Sequence, residues 1–195
     1  LPTRYREVNA EGNLITDETY TYDSNGNVIR SYDAIDGRVV ETIYYEEDDT
    51  TTGKIKGEIK SEREYFLTDS GNQTSTETTY TYDASGKKTE VTTEKAGQYS
   101  VTTTRVYDVM GREISSTDTL GTTTTTDYDP FGRISKITAK QGEITDVVTR
   151  TYDKNGTLIK ETDEDGTVYT YTYDNMNRVI EEGIQKGELS KVWTT

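Results

Sequence analysis

The sequence predicts an all-β fold of consecutive antiparallel β-hairpins forming one long twisted, curled sheet. A Tyr-Asp-x-x-Gly pattern recurs along the chain, and the segments between copies alternate Tyr with Thr. The third observation is negative. Only 30% of the 195 residues are hydrophobic, and Leu, Ile, Val and Phe together make about a sixth of the chain, too few for an ordinary packed core. The 16 tyrosines and abundant threonines suit a pleated, half-buried surface and separate this chain from a disordered one.

Taken in order, residues 1–80 are degenerate and 80–187 regular, within a single array over 1–195. Asn9 to Gly12 and Tyr32 to Gly37 read as turns of one kind, with the regular copy Tyr22-Asp23-Ser24-Asn25-Gly26 between them. Glu46-Glu47-Asp48-Asp49-Thr50-Thr51-Thr52-Gly53 reads as an acidic, extended hairpin loop within an insertion over about 46–58. Tyr65 to Gly71 is a degraded copy whose turn is Thr68-Asp69-Ser70-Gly71. Full copies follow at Tyr82, Asp83 and Gly86, at Tyr107, Asp108 and Gly111, at Tyr128, Asp129 and Gly132, and at Tyr152, Asp153 and Gly156. A last copy, Tyr173-Asp174-Asn175-Met176-Asn177, has Asn177 in the glycine position.

The spacing follows from turn chemistry. Asp, two free positions and Gly match a type I turn in which Asp accepts hydrogen bonds from the turn backbone and Gly takes a left-handed conformation. Pro130 falls where its fixed φ is favoured, and Asn177 is the common non-glycine residue that tolerates that conformation. A looser series lies between the copies: Asp118-Thr119-Leu120-Gly121, Asp163-Glu164-Asp165-Gly166, and weaker versions at Gly97, Gly142 and Gly187. Merged, the two series alternate gaps of about ten and fourteen residues, as successive hairpins require. Tyr169, Tyr171 and Tyr173 share one strand face and Thr170 and Thr172 the other, an arrangement repeated around Thr21 and Thr81. The Thr122 to Thr126 run is the same strand without its aromatic positions.

Dimensions favour a single curled layer. Strands of about seven residues span roughly 23 Å, and some fourteen to sixteen of them about 4.8 Å apart make a sheet roughly 70 Å wide. Open sheets that wide curl. Their raw edges invite pairing with neighbouring repeats or edge-to-edge self-association.

Composition excludes several functions. A net charge of -14 opposes nucleic acid and anionic membrane surfaces, and no apolar run approaches the length needed for membrane insertion. The first residues, Leu1-Pro2-Thr3-Arg4, carry no signal pattern. With neither Cys nor His, there is no disulfide, thiolate metal site or histidine-based nucleophile, and no cofactor is expected. Adjacent acids such as Glu46 to Asp49 and Glu181-Glu182 read as solvated surface rather than glycosidase pairs. The run from Asp163 fails the calcium-loop pattern, its glycine standing two positions too early and Asp174 replacing the final Glu. Trp193 reads as an edge residue. The chain is therefore not expected to be an enzyme. A binding module, using exposed tyrosines on a glycan or protein partner, is the alternative to a structural scaffold.

Tyr107 to Gly111-Arg112, Tyr128 to Gly132-Arg133, and Asp163 through Tyr173-Asp174 resemble the YD-repeat or RHS-repeat family. That family includes bacterial Rhs polymorphic toxins, wall-associated proteins, B and C subunits of insecticidal toxin complexes, and teneurins. The resemblance implies a partial β-shell, a wall that encloses or presents a toxin, effector or adhesion domain in a secreted or cell-surface protein of bacterial source. The implied partners are the remaining repeats of the parent shell, an enclosed effector, and a glycan or cell-surface receptor. Neither the family's shell-closing, self-cleaving block nor a cargo domain is matched, and Asp129-Pro130-Phe131-Gly132 reads as an ordinary turn.

Overall fold

The computed structural model describes residues 1–48, 56–67 and 74–194. Most of the predicted acidic loop and the predicted Thr68 to Gly71 turn lie outside the described residues. The observed architecture is all-β. Within each of the chain's two compact units strand order follows chain order, and every described pairing is antiparallel, so each unit is a pure meander. Among the described residues there is no helix, hence none long and apolar enough to cross a membrane.

The chain forms two compact units, Leu1–Arg112 and Glu113–Thr195. The first holds β1 (Arg4–Val8), β2 (Leu14–Tyr22), β3 (Val28–Asp33), β4 (Arg38–Tyr44), β5 (Ile59–Phe66), β6 (Thr74–Tyr82), β7 (Lys88–Ala96) and β8 (Tyr99–Tyr107). The second holds β9 (Glu113–Thr117), β10 (Thr123–Tyr128), β11 (Ile134–Gln141), β12 (Ile144–Tyr152), β13 (Leu158–Thr162), β14 (Val168–Tyr173), β15 (Val179–Lys186) and β16 (Leu189–Thr194). Thr, Val and Tyr dominate these strands because branched and aromatic side chains fit a pleated surface.

A meander puts alternate turns at opposite ends of the strands. In the first unit Tyr-Asp turns follow β2, β6 and β8; in the second they follow β10, β12 and β14. Within each unit they therefore share one end, called here the YD rim. At the opposite ends the turns at Asp118 and Asp163 keep the predicted Asp-x-x-Gly chemistry, while three others do not. Gly97, Gly142 and Gly187 are not weak Asp-x-x-Gly turns: Ala96 pairs with Tyr99, Gln141 with Ile144 and Lys186 with Leu189, leaving two-residue loops. Gly97, with φ of 62°, takes the first central position of such a loop, as a type II′ hairpin requires. Spacing alone could not separate two-residue from four-residue turns, since both end a strand on schedule. Tyr32 to Gly37 also departs, being one residue longer: the Gly37 amide donates to the Asp33 carbonyl at 3.0 Å.

There is little core in the ordinary sense. Among the described residues only Val39 and Tyr45 are buried hydrophobics, joined by the polar Asp17, Thr42 and Thr167. Val39 is fully buried because Tyr32 and Tyr65 stand directly opposite it on both neighbouring strands. These two tyrosines occupy the face opposite Tyr20 and Tyr80, so the aromatic stripe is not confined to one side. Threonines also meet across strands, Thr78 with Thr92 at 3.1 Å and Thr117 with Thr123 at 3.0 Å. Such cross-strand pairs contribute laterally what a second layer supplies in a sandwich. Asp17 shows the same economy at β1, its carboxylate accepting two hydrogen bonds each from Arg4 and Arg6, at 2.7 to 3.2 Å.

Two glycines separate conformational from steric demand. Gly111 has φ of 77° and open space where a Cβ would stand, whereas at Gly37, with φ of 75°, a Cβ would lie 2.8 Å from the Leu67 carbonyl oxygen. Gly111→Ala should lower unfolding stability by about 1–2 kcal/mol, the ordinary cost of left-handed backbone. Gly37→Ala should cost clearly more, because it also presses on the segment whose Leu67 amide donates to the Gly37 carbonyl. Urea titration of both variants checks the ranking, and equal losses would refute it.

Candidate functional site: the YD rim

Each YD turn is closed twice by backbone. Around Asp129 the Asp amide donates to the Arg133 carbonyl at 2.8 Å and the Gly132 amide to the Asp129 carbonyl at 3.0 Å, and the turns at Asp23, Asp83, Asp108, Asp153 and Asp174 repeat this. One carboxylate oxygen then gathers two amides, those two and four residues on: Asn25 and Asn27 for Asp23, Ser85 and Lys87 for Asp83, Met110 and Arg112 for Asp108. Phe131 and Arg133 serve Asp129, Asn155 and Thr157 serve Asp153, and Met176 and Arg178 serve Asp174. Aspartate fits because a short acceptor can span this turn, whereas a longer side chain overshoots it.

Where arginine follows the glycine, it takes the second carboxylate oxygen. Arg112, Arg133 and Arg178 each place a guanidinium nitrogen 2.6 Å from the aspartate of their own turn. The Arg112 guanidinium, followed by its amide, holds the Asp108 carboxyl below the usual range. At Asp83 the Ser85 hydroxyl and then the Lys87 amide have the same effect. Asn177 occupies the glycine position with φ of 63°, its amide donating to the Asp174 carbonyl at 3.0 Å.

The tyrosines do more than pack. The phenol of Tyr128 donates to the Glu113 carbonyl at 2.7 Å, Tyr152 to Ile134 at 2.8 Å, Tyr173 to Leu158 at 2.9 Å, and Tyr44 to Val28 at 3.1 Å. In all four the acceptor stands six positions after the tyrosine of the preceding repeat: Tyr107, Tyr128, Tyr152 and Tyr22 respectively. The register explains the need. Pairing of β9 with β10 ends at Ser115, of β11 with β12 at Lys136, of β13 with β14 at Lys160, and of β3 with β4 at Arg30. Each acceptor thus lies two residues outside the ladder, where the strands splay toward the bulged turn. The phenol bridges that gap. Tyr22 does the same toward the Pro2 carbonyl at 2.7 Å, two residues outside the Arg4 to Thr19 pair.

Tyr82 and Tyr107 differ, because β6, β7 and β8 stay paired to the rim. Lys88 is opposite both, with its Nζ 4.3 Å from the Tyr107 ring centroid. The Tyr82 phenol instead approaches Glu58 at 3.4 Å. Burial first, then the Glu58 carboxylate, pushes its pKa up to about 12. Further contacts join successive turns: Arg133 reaches the Asp153 carbonyl at 3.3 Å and lies 4.5 Å from the Tyr152 ring, and Thr157 donates to Asn177 at 2.9 Å.

Two rim residues escape the motif. Tyr44 lacks a following Asp, yet stands 22 positions after Tyr22 (44 − 22), close to the 21 between Tyr107 and Tyr128 (128 − 107), a period that could have flagged it. Tyr45 is buried, its phenol donating to the Tyr80 carbonyl at 2.7 Å, and nothing in its local sequence distinguishes it. The acidic candidates form no reaction site. Glu46, Glu47, Asp48, Glu181 and Glu182 are exposed, and Asp163 closes a turn of the YD type through the Asp165 and Thr167 amides. Among the described residues no cluster could hold a metal ion. Trp193 lies on β16, 44% exposed, with Lys191 Nζ 5.0 Å from its ring.

The RHS Repeat family model matches residues 107–144 and 152–183, each stretch opening on a YD tyrosine. Those two stretches are similar to RHS repeats. The matched stretches take in the rim turns at Asp108, Asp129, Asp153 and Asp174, three of which pair the aspartate with an arginine and three of which carry a bridging phenol. No curated protein matches the chain. Among solved structures it is similar to the TcdB2-TccC3-Cdc42 complex, with a TM-score of 0.39, 16% identity, and coverage of 92% of this chain and 12% of that one. The TcdB2-TccC3 complex gives a TM-score of 0.38 and 16% identity over 92% and 13%. The chain thus spans about an eighth of the solved chains it matches.

Tyr152→Phe should cost about 1 kcal/mol in urea unfolding, the worth of one hydrogen bond whose acceptor is left without its partner. Tyr99→Phe, at an 83% exposed ring, should change stability negligibly, and equal losses at both sites would remove the bridging role. At high pH the fold favours the neutral Tyr82 phenol. Its contribution is therefore full below the ordinary tyrosine value near about 10 and lost as pH rises through about 12. Ultraviolet titration of the phenols should show late ionisation at Tyr82 and at Tyr20, which its hydrogen bond to Glu18 also pushes up to about 12, and Tyr82→Phe should remove one of the two; ionisation of every ring together near about 10 would contradict it.

Proposed function

We propose that the chain is a wall segment of a β-shell that encloses or presents an effector or adhesion domain within a larger secreted or surface-exposed bacterial polypeptide, with no catalytic role of its own. Residues 1–195 act in this reading as one array, with an insertion near 46–58. The supporting observation is how fully the rim consumes its polar groups. Aspartates bind turn amides, arginines bind those aspartates, and phenols bind splayed carbonyls. The YD residues are then structural parts, and repetition of one turn extends a wall for as long as repeats continue. Further repeats of the parent shell are the first partners, since β1 pairs with β2 and β16 with β15 along only one side each. Edge-to-edge association of two copies would use those same sides.

The binding alternative has limited material. Of the 16 tyrosines only Tyr5 and Tyr99 are exposed, so a broad tyrosine platform for glycan or receptor is not what this surface offers. In the polypeptide that carries this array, limited proteolysis should leave the associated domain intact while the array is folded. Combining Tyr152→Phe with Asp129→Ala should expose that domain to cleavage. A domain cleaved equally in both proteins would reject enclosure, and saturable binding on a glycan array would favour the adhesion reading.

A further inference from the structure

The face that carries Tyr80 and Tyr82 has a groove of about 220 Å³ at the end of β5–β8 remote from the YD rim. Its floor is made of small side chains, Thr74, Thr76 and Ala96, and its flanks are Phe66 at the end of β5 and Tyr99 at the start of β8. Glu64 and Glu94 stand on either side of Thr76 in register. Lys95 also borders the groove, but strand alternation turns it to the opposite face.

Strands β6, β7 and β8 show what such a set of groups holds. Nearer the rim, Lys88 Nζ lies 4.3 Å from the Tyr107 ring, 5.3 Å from the Tyr80 ring and 3.4 Å from a Glu90 carboxylate oxygen. Two aromatic rings and a carboxylate there enclose a cation supplied by the chain itself. The groove repeats the rings, as Phe66 and Tyr99, and the carboxylate, as Glu94. At the Glu64 side the chain supplies Arg38, which stands opposite Phe66; at the Glu94 and Tyr99 side it supplies no cation among the described residues. Among the described residues Arg38 approaches Glu64 at 3.8 Å, and no basic group pairs with Glu94 or lies over Tyr99.

We propose that this groove binds an arginine side chain presented by a partner polypeptide. The guanidinium would stack on Tyr99 and Phe66 and donate to Glu94, a planar, weakly hydrated cation suiting two rings and a carboxylate better than ammonium does. Charge complementarity extends beyond the groove, since the net charge of -14 steers basic partners toward the chain. The inference rests on the groove alone, so it and the shell reading fail independently.

The probe is a blocked Gly-Arg-Gly peptide titrated into the whole chain at low salt and followed by nuclear magnetic resonance. Saturable shifts should centre on Thr76, Glu94, Ala96 and Tyr99. Glu94→Gln and Tyr99→Ala should each weaken binding about tenfold, as loss of one charge-assisted contact does. Glu181→Gln removes the same charge at an exposed site and should leave the affinity unchanged. Equal weakening by Glu94→Gln and Glu181→Gln, shifts that never saturate, or a neutral sugar competing for the same residues would each overturn the proposal.

Discussion

Hydrogen bonds from tyrosine phenols to splayed backbone carbonyls hold this architecture together at its rim. A four-residue turn with a left-handed fourth position twists the strands it joins, and the bulges between Asp127 and Tyr128, Thr151 and Tyr152, and Thr172 and Tyr173 increase that twist. The ladder to the preceding strand therefore stops short, and a carbonyl is stranded two residues beyond it. An unpaired, partly buried carbonyl would cost about 1–3 kcal/mol. Tyrosine is the side chain that can reach it, because its ring covers apolar surface on the way and its hydroxyl donates at the end. At Tyr44, Tyr128, Tyr152 and Tyr173 the acceptor six positions after the preceding tyrosine ties one repeat to the one before it.

This arrangement substitutes for a core. A sheet of one layer cannot bury aliphatic residues against a second, and the chain supplies few of them. What remains is lateral: phenol to carbonyl, threonine to threonine, guanidinium to carboxylate and ring. The two units each keep this economy, with Val39 between Tyr32 and Tyr65 as the nearest approach to ordinary packing. Such a ledger of small neighbour contacts suits a structure that grows by repetition, since no distant contact has to be satisfied. It also leaves the opposite strand ends less constrained, and there the exposed Tyr99 and the groove beside it are found.

Much of the turn chemistry was legible because it is local. Asp, Gly and Pro130 act within four residues, and the tolerance of Asn177 for left-handed backbone follows from its side chain alone. Other features were legible only in outline. Gly97, Gly142 and Gly187 end strands at the expected places, yet their two-residue loops depend on which residues pair across the hairpin. Tyr44 lost its aspartate and so its motif, while keeping its bond to Val28, because that bond depends on position rather than on the neighbour.

The sequence by itself determined the strand meander, the turn positions and the absence of cysteine and histidine chemistry, since each follows from short-range backbone preference or from composition. Only the tertiary structure decided which carbonyl each phenol reaches, that Tyr32 and Tyr65 close over Val39 on the other face, and that Glu94, Phe66 and Tyr99 line one groove. Those facts depend on strand register. Register is set by bulges and pairing partners a dozen or more residues apart, and a one-residue slip would send every one of these side chains to the opposite face.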